Sequence, residues 1–431
     1  MLLLSRTARL PGRIVLTTLL WLGAGLWSGA VVANGPLASA ARIEEAGQGA
    51  RVLFDLSGPA QAVAYVMAGP DRVIVDLSEV NFQLPAKAGQ PEPVAKGKKP
   101  AGPAKIVASF RFGLFAPGKS RIVIDLGRPA LVQKIGTVSK ADGGIELQIE
   151  LRETDAAGFA LAARTAASEA LARDILADAP ARPAASAADP RRPMIVIDPG
   201  HGGIDAGAQG KMNVVEKDVV FEFSRTLKAH LEATGRYRVA LTRSNDIFVP
   251  LAERVKIARD ANADLFISIH ADTISDTAGV SGATVYTVSD KASDREAARL
   301  AEKENLADAA AGLVGVDDSG DVSDILFDLT RRETRTYSHA FARTLVNYWN
   351  EAGRLNKNPH RSAGFRVLKA PDVPSVLLEL GYLSNEKDSA ALLKTEWRAK
   401  AATAMTRAVD AFFQPRLGGS VEAGRPGPRP N

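Results

Sequence analysis

The spacing of apolar positions changes repeatedly along this chain, and each change marks a different kind of element. An apolar stretch from Ile14 to Val32 follows Arg6, Arg9 and Arg13 and precedes small residues that include Ala38-Ser39-Ala40. A basic flank, an apolar run and an A-x-A site together form the pattern of a secretory signal peptide, here over residues 1–40. The alternative is an uncleaved anchor, since the 19 residues of the stretch approach the roughly 20 that span a bilayer; the small-residue site favours cleavage. There is no Arg-Arg pair, so the general secretory route is expected rather than the twin-arginine one. No later segment is long and apolar enough to cross a membrane. The mature chain is therefore expected to be soluble, outside the cytoplasm and without a stable membrane span.

From residue 41 to 152 a short strand pattern recurs: Arg51-Val52-Leu53-Phe54-Asp55-Leu56, then Arg72-Val73-Ile74-Val75-Asp76-Leu77, then Arg121-Ile122-Val123-Ile124-Asp125-Leu126. Ile145 to Leu151 adds a run of strict period two. Turn-forming clusters separate these runs, which predicts an all-β sandwich, interrupted by a long Pro/Lys/Gly-rich loop from Leu84 to Lys105. The repeated Arg and Asp fit either a polymer-binding surface or a cross-strand charge ladder. Residues 153–192 are rich in Ala, Arg and Asp, contain Pro180, Pro183 and Pro190, and lack a sustained apolar stripe; they read as a linker, helical at first.

Between residues 193 and 414 strands alternate with longer helical stretches, the signature of an α/β domain with a mostly parallel central sheet flanked by helices. Strands are expected at Met194 to Asp198, Tyr237 to Thr242, Leu265 to His270, Ala283 to Val288 and Ser375 to Glu379. Helices are expected at Glu216 to Ala233, with Val219, Phe223, Leu227 and Leu231 on one face, and at Glu333 to Asn350, with Tyr337, Phe341, Leu345 and Tyr348 on one face. The Gly/Pro/Arg-rich tail, residues 415–431, cannot form a core and is expected to be disordered.

With 431 residues, 46% hydrophobic and 24% charged, the chain is long and apolar enough for two folded domains. Its net charge of +5 comes from 54 Lys+Arg against 49 Asp+Glu, spread along the chain. That is a weak pull toward anionic polymers, and no nucleic acid partner is expected. Cysteine is absent, which excludes disulfides, thiolate metal sites and Cys nucleophiles. Any transition metal would need histidine and carboxylate, and the five histidines are His201, His230, His270, His339 and His360.

In open α/β sheets, ligand sites lie beyond the carboxyl ends of strands. His201 follows the first strand of this domain, His270 closes the third and Glu379 closes the last, so neighbouring strands would bring them to one end. Glu216 opens the helix after the Gly-rich loop and can return there. Two imidazoles and a carboxylate make a three-ligand zinc set with one position left for water, and a further carboxylate can move protons; that stoichiometry suits a hydrolase. Each member also has a plainer role. Asn213 as N-cap with Glu216 at the third helical position would satisfy helix donors without metal. The Gly-rich loop could instead hold phosphate, although it lacks the following Lys-Ser/Thr and has His201 among its glycines. His230 and His339 on helices and His360 in a polar Asn/Lys/Pro loop are assigned structural, surface or substrate-contact roles.

Asp198-Pro199-Gly200-His201-Gly202-Gly203 with Asp205 and Gly207, then Glu216-Lys217-Asp218, Ser268-Ile269-His270-Ala271-Asp272 and Leu378-Glu379-Leu380-Gly381-Tyr382-Leu383-Ser384-Asn385, resemble the zinc-dependent N-acetylmuramoyl-L-alanine amidases of bacterial cell walls. The resemblance covers about Arg192 to Gln414, with every core motif in order. The preceding β segment is similar to the AMIN domain that directs periplasmic amidases to peptidoglycan. The resemblance implies that His201, Glu216 and His270 bind Zn2+ and that Glu379 is the catalytic general base and acid. The implied reaction is hydrolysis of the amide between the lactyl group of N-acetylmuramic acid and L-Ala of the stem peptide, in the periplasm, during separation of daughter cells.

Relative to minimal members of that family the chain has an insert at about residues 288–332, with Asp294 to Ala311 helical in composition and a Gly/Asp/Ser-rich turn at Gly315 to Asp321. In division-associated relatives such an insert covers the zinc, one Glu filling its open position, until a LytM-type activator displaces it. Glu304 is the expected blocking residue here and Glu302 the second choice. Two other functions remain open at this stage: a noncatalytic peptidoglycan-binding division scaffold, and a zinc peptidase cutting within the stem peptide.

Overall fold

The computed structural model describes residues 35–85, 87–90, 105–174, 192–210, 214–274, 280–313 and 325–418. The apolar N-terminal stretch, most of the 84–105 loop, the three linker prolines, Asn213, Gly315 to Asp321 and the tail beyond 418 lie outside these residues.

The N-terminal domain is a two-sheet sandwich. β1 (Leu37–Ala46), β2 (Gly49–Leu56), β5 (Asn81–Phe82), β8 (Ala130–Ser139) and β9 (Ile145–Glu153) form one sheet, in the order β5-β1-β2-β9-β8. β3 (Ala62–Met67), β4 (Arg72–Ser78), β6 (Val107–Ala116) and β7 (Lys119–Leu126) form the other, in the order β3-β4-β7-β6. Alternation explains the core between them: Val52, Phe54 and Leu56, Val73, Val75 and Leu77, Ile122 and Ile124, and Leu147, Ile149 and Leu151 all point inward.

Two expected boundaries shift. The Ala38-Ser39-Ala40 motif lies inside β1, where Ala38 is fully buried opposite Leu56 and Leu37 pairs with Asn81 of β5. A cut after Ala40 would remove paired strand residues. Helix α1 (Ala156–Asp174) begins inside the expected linker, and its Phe159 and Ala163 pack into the sandwich core. Ala162 packs partly buried beside them, and so few apolar residues at the start of an Ala-rich helix make no stripe visible in composition.

The second domain is built on one six-stranded sheet: β10 (Met194–Pro199), β11 (Arg238–Leu241), β12 (Leu265–His270), β13 (Ala283–Val288), β14 (Leu355–Ala363) and β15 (Ser375–Glu379), in the order β11-β10-β12-β15-β13-β14. The first four in that order are mutually parallel; β13 runs against β15, and β14 runs with β13. On one face pack α2 (Glu216–Ala233), α6 (Ile325–Trp349) and α8 (Thr395–Gly418), through Phe223, Leu227, Phe341, Leu345, Met405 and Phe413. On the other pack α3 (Leu251–Asp260), α4 (Arg295–Asn305) and a 3₁₀ turn at Arg366–Leu368, over Val196, Phe266, Tyr286 and Leu377. Two short helices, α5 (Ala307–Ala310) and α7 (Glu386–Leu392), complete the domain.

β14 corrects the reading of His360 as a loop residue. The polar run LNKNPHRSA pairs only with β13, and a sheet edge accommodates both its polar residues and Pro359. Likewise α8 continues past Pro415 to Gly418.

If α1 is part of the sandwich, Phe159→Ala should lower unfolding free energy by about 3–5 kcal/mol, read by urea denaturation of the full chain. A free linker helix would leave the transition unmoved.

Candidate metal centre

The carboxyl ends of β10, β12 and β15 lie side by side: Pro199 pairs with Ile269, and His270 with Glu379. The chain leaving β10 must turn sharply back to the sheet end, and His201 does so with φ +57°, a left-handed conformation shared among described non-glycine residues only with Asn262. Arg254 of α3 holds that turn. It donates to Asp198 Oδ1 at 2.8 Å and to the carbonyls of Pro199 (2.9 Å), His201 (2.8 Å) and Val249 (2.8 Å). Asp198, fully buried, also accepts from Thr242 Oγ1 at 2.5 Å and Ser268 Oγ at 2.7 Å. Burial works against its charge, but Arg254 and these hydroxyls hold its carboxyl below the ordinary range.

The structure brings His201, Glu216, His270 and Glu304 together. Glu216 Oε1 is 3.2 Å from His201 Nε2 and 3.3 Å from His270 Nδ1. Glu304 Oε2 is 3.6 Å and 3.3 Å from the same two nitrogens. Glu302, by contrast, is exposed on the far side of α4. Glu379 is fully buried beside His270, its Oε2 accepting the Asp272 N–H at 2.9 Å and its Oε1 left without a partner.

Glu216 is the first residue of α2, preceded by Val215 at the N-cap, so it does not hold the third helical position that the capping alternative needs; Asn213 lies outside the described residues. Its carboxylate turns inward because two loop amides need it: Ala208 N–H donates to Oε2 and Ala271 N–H to Oε1, both at 2.8 Å. Gly207 leaves the room, since a Cβ there would lie 2.6 Å from the His201 ring and 2.8 Å from Glu216 Oε2. His201 Nδ1 is bound to Asp205 Oδ2 at 2.8 Å, which aims Nε2 at the centre.

The electrostatics are those of a dry site. Burial opposes the charged His201, but Asp205, Glu216 and Glu304 outweigh it and hold the imidazole well above its ordinary pKa. Burial also opposes the charged Glu216, yet His201 and His270 bring it well below the usual carboxylate range. Glu304 is raised by burial, against the pull of the two imidazoles. Glu379 is pushed well up by burial and by the neighbouring Glu216 and Asp272. Lys303 reaches from the insert to pair with Asp272.

These donors fit a divalent cation. His201 Nε2, His270 Nδ1 and Glu304 Oε1 are buried without a hydrogen-bond partner. Ligands about 2.0 to 2.2 Å from tetrahedral zinc stand roughly 3.3 to 3.6 Å apart, close to the 3.2 to 3.6 Å found between the nitrogens and the two carboxylates. His201, His270 and Glu304 could hold a metal on mutual distance, all within 4.8 Å. Glu216 shares both histidine contacts. The remaining histidines stand elsewhere: His230 is 3.4 Å from Thr403 Oγ1, and His339 and His360 lie 3.4 Å apart beside Thr287. No local pattern announces the burial of Arg254 on an otherwise ordinary polar helix, or the pairing of Lys303 with Asp272.

Residues 195–411 match the N-acetylmuramoyl-L-alanine amidase family, and residues 40–149 match the AMIN domain. The chain is 32% identical over 383 residues to the N-acetylmuramoyl-L-alanine amidase AmiC of Escherichia coli O6:H1, covering 87% of this chain and 89% of that one. It is 36% identical over 266 residues to AmiA of Escherichia coli K12, covering 61% and 91%. Among solved structures, AmiC2 of Nostoc punctiforme is 29% identical, with a TM-score of 0.38, over 52% of this chain and 97% of that one.

Arg254→Ala leaves Asp198 buried without its cation and the His201 turn unheld. A loss of about 3–5 kcal/mol in unfolding free energy is expected, with weaker retention of an added divalent cation after dialysis; urea titration and metal analysis check the two effects separately.

Proposed function

The chain belongs to the N-acetylmuramoyl-L-alanine amidase family and carries an AMIN domain ahead of the amidase domain, and from this premise we propose that it is a zinc-dependent periplasmic enzyme held shut by its own insert. It is a peptidoglycan amidase of cell separation: the bond broken joins the lactyl carbonyl of N-acetylmuramic acid to the nitrogen of L-Ala, and water supplies the new C–O bond. The observation that carries the finer reading is the convergence of His201 Nε2 and His270 Nδ1, both without hydrogen bonds, on Glu216 and Glu304.

His201, Glu216 and His270 would hold the zinc. Bound there, zinc acidifies water and polarises a carbonyl. Asp205 keeps the His201 proton on Nδ1, and the Ala208 and Ala271 amides keep Glu216 aimed inward. Glu379 Oε1 is the free, buried carboxylate oxygen nearest in register to His270. In this reading it takes the proton from the attacking water and passes it to the leaving amine, a task that suits a carboxyl raised by burial. In this reading Glu304, 3.6 and 3.3 Å from the two histidine nitrogens, would occupy the position left for water and the substrate carbonyl. A LytM-type activator would lift α4 and take Glu304 and Lys303 away together. Export through the general secretory route, with processing upstream of Leu37, places the chain with its peptidoglycan substrate.

Glu379→Gln is expected to keep its zinc and to lose stem release from purified sacculi by about 10²–10⁴-fold; unchanged release would remove Glu379 from the reaction. Deleting residues 291–330, or Glu304→Ala alone, should raise basal release of peptides beginning at L-Ala. A chelator should stop that release and zinc restore it. Fragments retaining muramic acid would point to a peptidase instead, and no rise with fold and zinc intact would end the self-blocking idea.

A further inference from the structure

β4 and β7 pair so that Arg72 faces Asp125, Ile74 faces Val123 and Asp76 faces Arg121. Their alternate residues fill the sandwich core, so these six side chains form the outer face of the sheet. An outer face of a sandwich ordinarily meets water, yet Ile74 and Val123 are fully buried and Arg121 is 5% exposed.

The catalytic domain covers them. Ile74 and Val123 cluster with Ala311 of the insert and with Ile204 and Phe248 beside the His201 loop. Phe115 stacks on Phe248 at 5.8 Å. The two arginines grip the insert by its backbone: Arg72 Nη1 donates to the Ala309 carbonyl at 2.6 Å, and Arg121 Nη1 to those of Ala311 (3.0 Å) and Gly312 (3.4 Å). Each guanidinium is itself oriented by a cross-strand carboxylate, Arg72 by Asp125 at 2.8 Å and Arg121 by Asp76 at 2.6 Å. Gly312, at φ +75°, allows the approach, because a Cβ there would lie 2.4 Å from Ile74 Cδ1. Only Leu306 separates α4 from α5, and Asp308 accepts the Leu251 N–H at 3.0 Å, so fixing Ala309 to Gly312 also fixes the height of Glu304.

We propose that this outer face of the AMIN domain is a docking surface for the insert, and that the grip on Ala309 to Gly312 holds Glu304 over His201 and His270. The inference rests on the reading of Glu304 as the blocking residue. It makes the AMIN domain an inhibitory partner of its own catalytic domain, working through two of the three repeated Arg-x-x-x-Asp-Leu strands. The third copy, on β2, lies in the other sheet, where Asp55 pairs with Arg42 and Lys140 of its own domain.

The test breaks the contact from either side in the full-length chain. Gly312→Val alters the insert and leaves the AMIN sequence intact; Arg72→Gln with Arg121→Gln alters the sheet. Amide hydrogen exchange over residues 295–313 and basal stem release from sacculi without activator are read for both, with Glu304→Ala alongside. Faster exchange in α4 and about tenfold more release, the factor that roughly 1.4 kcal/mol of lost closed-state stability gives, are expected for both variants. Unchanged exchange and release in Gly312→Val, with Glu304→Ala active, would overturn the docking role and leave the block standing. Faster exchange in both variants, with no gain in release from them or from Glu304→Ala, would uphold the docking contact and overturn the block.

Discussion

Two carboxylates and two imidazoles meet at the end of the sheet in a space that is nearly dry, with Glu379 and Asp272 close behind. Burying even one unpaired carboxylate costs several kcal/mol, so this grouping persists only where positive charge compensates it. The surroundings are arranged to that end. Backbone amides of Ala208 and Ala271 saturate Glu216, Asp205 polarises His201, Lys303 meets Asp272, and the two imidazoles are left facing the carboxylates. Glu304 stands in the last turn of α4, where the helix dipole also disfavours a carboxylate. A divalent cation between the imidazoles would compensate Glu216 and Glu304 alike, so metal binding and the inward position of Glu304 would favour one another.

The rigidity behind this comes from one buried ion pair. Arg254 and Asp198 join α3, β10 and, through hydroxyls, β11 and β12, and the arginine's remaining donors take the carbonyls of a turn whose His201 backbone is left-handed. A strained residue persists where its surroundings over-determine it, and here they do so with charged hydrogen bonds rather than packing alone.

Strands whose side chains alternate, such as Ile145 to Leu151, and strands buried on both faces, such as Leu265 to His270, were legible because burial imposes the pattern directly. The site residues were legible as a set because strand ends in a parallel sheet converge, and the family motif assigned Glu216 a role that its capping position alone would not. β14 was illegible: an edge strand needs no apolar alternation, and LNKNPHRSA has none. Arg254 and Arg121 were invisible as buried groups because their burial comes from elements far away in sequence. The repeated arginines were weighed as a charge ladder or a polymer surface. The ladder is present in Arg72–Asp125 and Arg121–Asp76, but the free ends of those guanidiniums reach carbonyls nearly two hundred or more positions downstream, which no local pattern encodes.

The reversed direction of β13 sets how α4 reaches His201 and His270. Because β13 runs against β15, its start lies beside Glu379 and its last residue, Val288, emerges at the far end of the strands, so α4 must travel back across the domain. Asp294 caps its start by accepting the Ala297 N–H, and Arg361 of β14 pins Asp294 and Glu296. From that fixed origin, 11 residues advance about 16 Å, and the tenth is Glu304. The helix is thus a measuring rod. One residue more or fewer between cap and carboxylate would turn Glu304 by about 100° and displace it by about 1.5 Å, so the length of α4, more than the identity of its exposed residues, decides where that carboxylate stands.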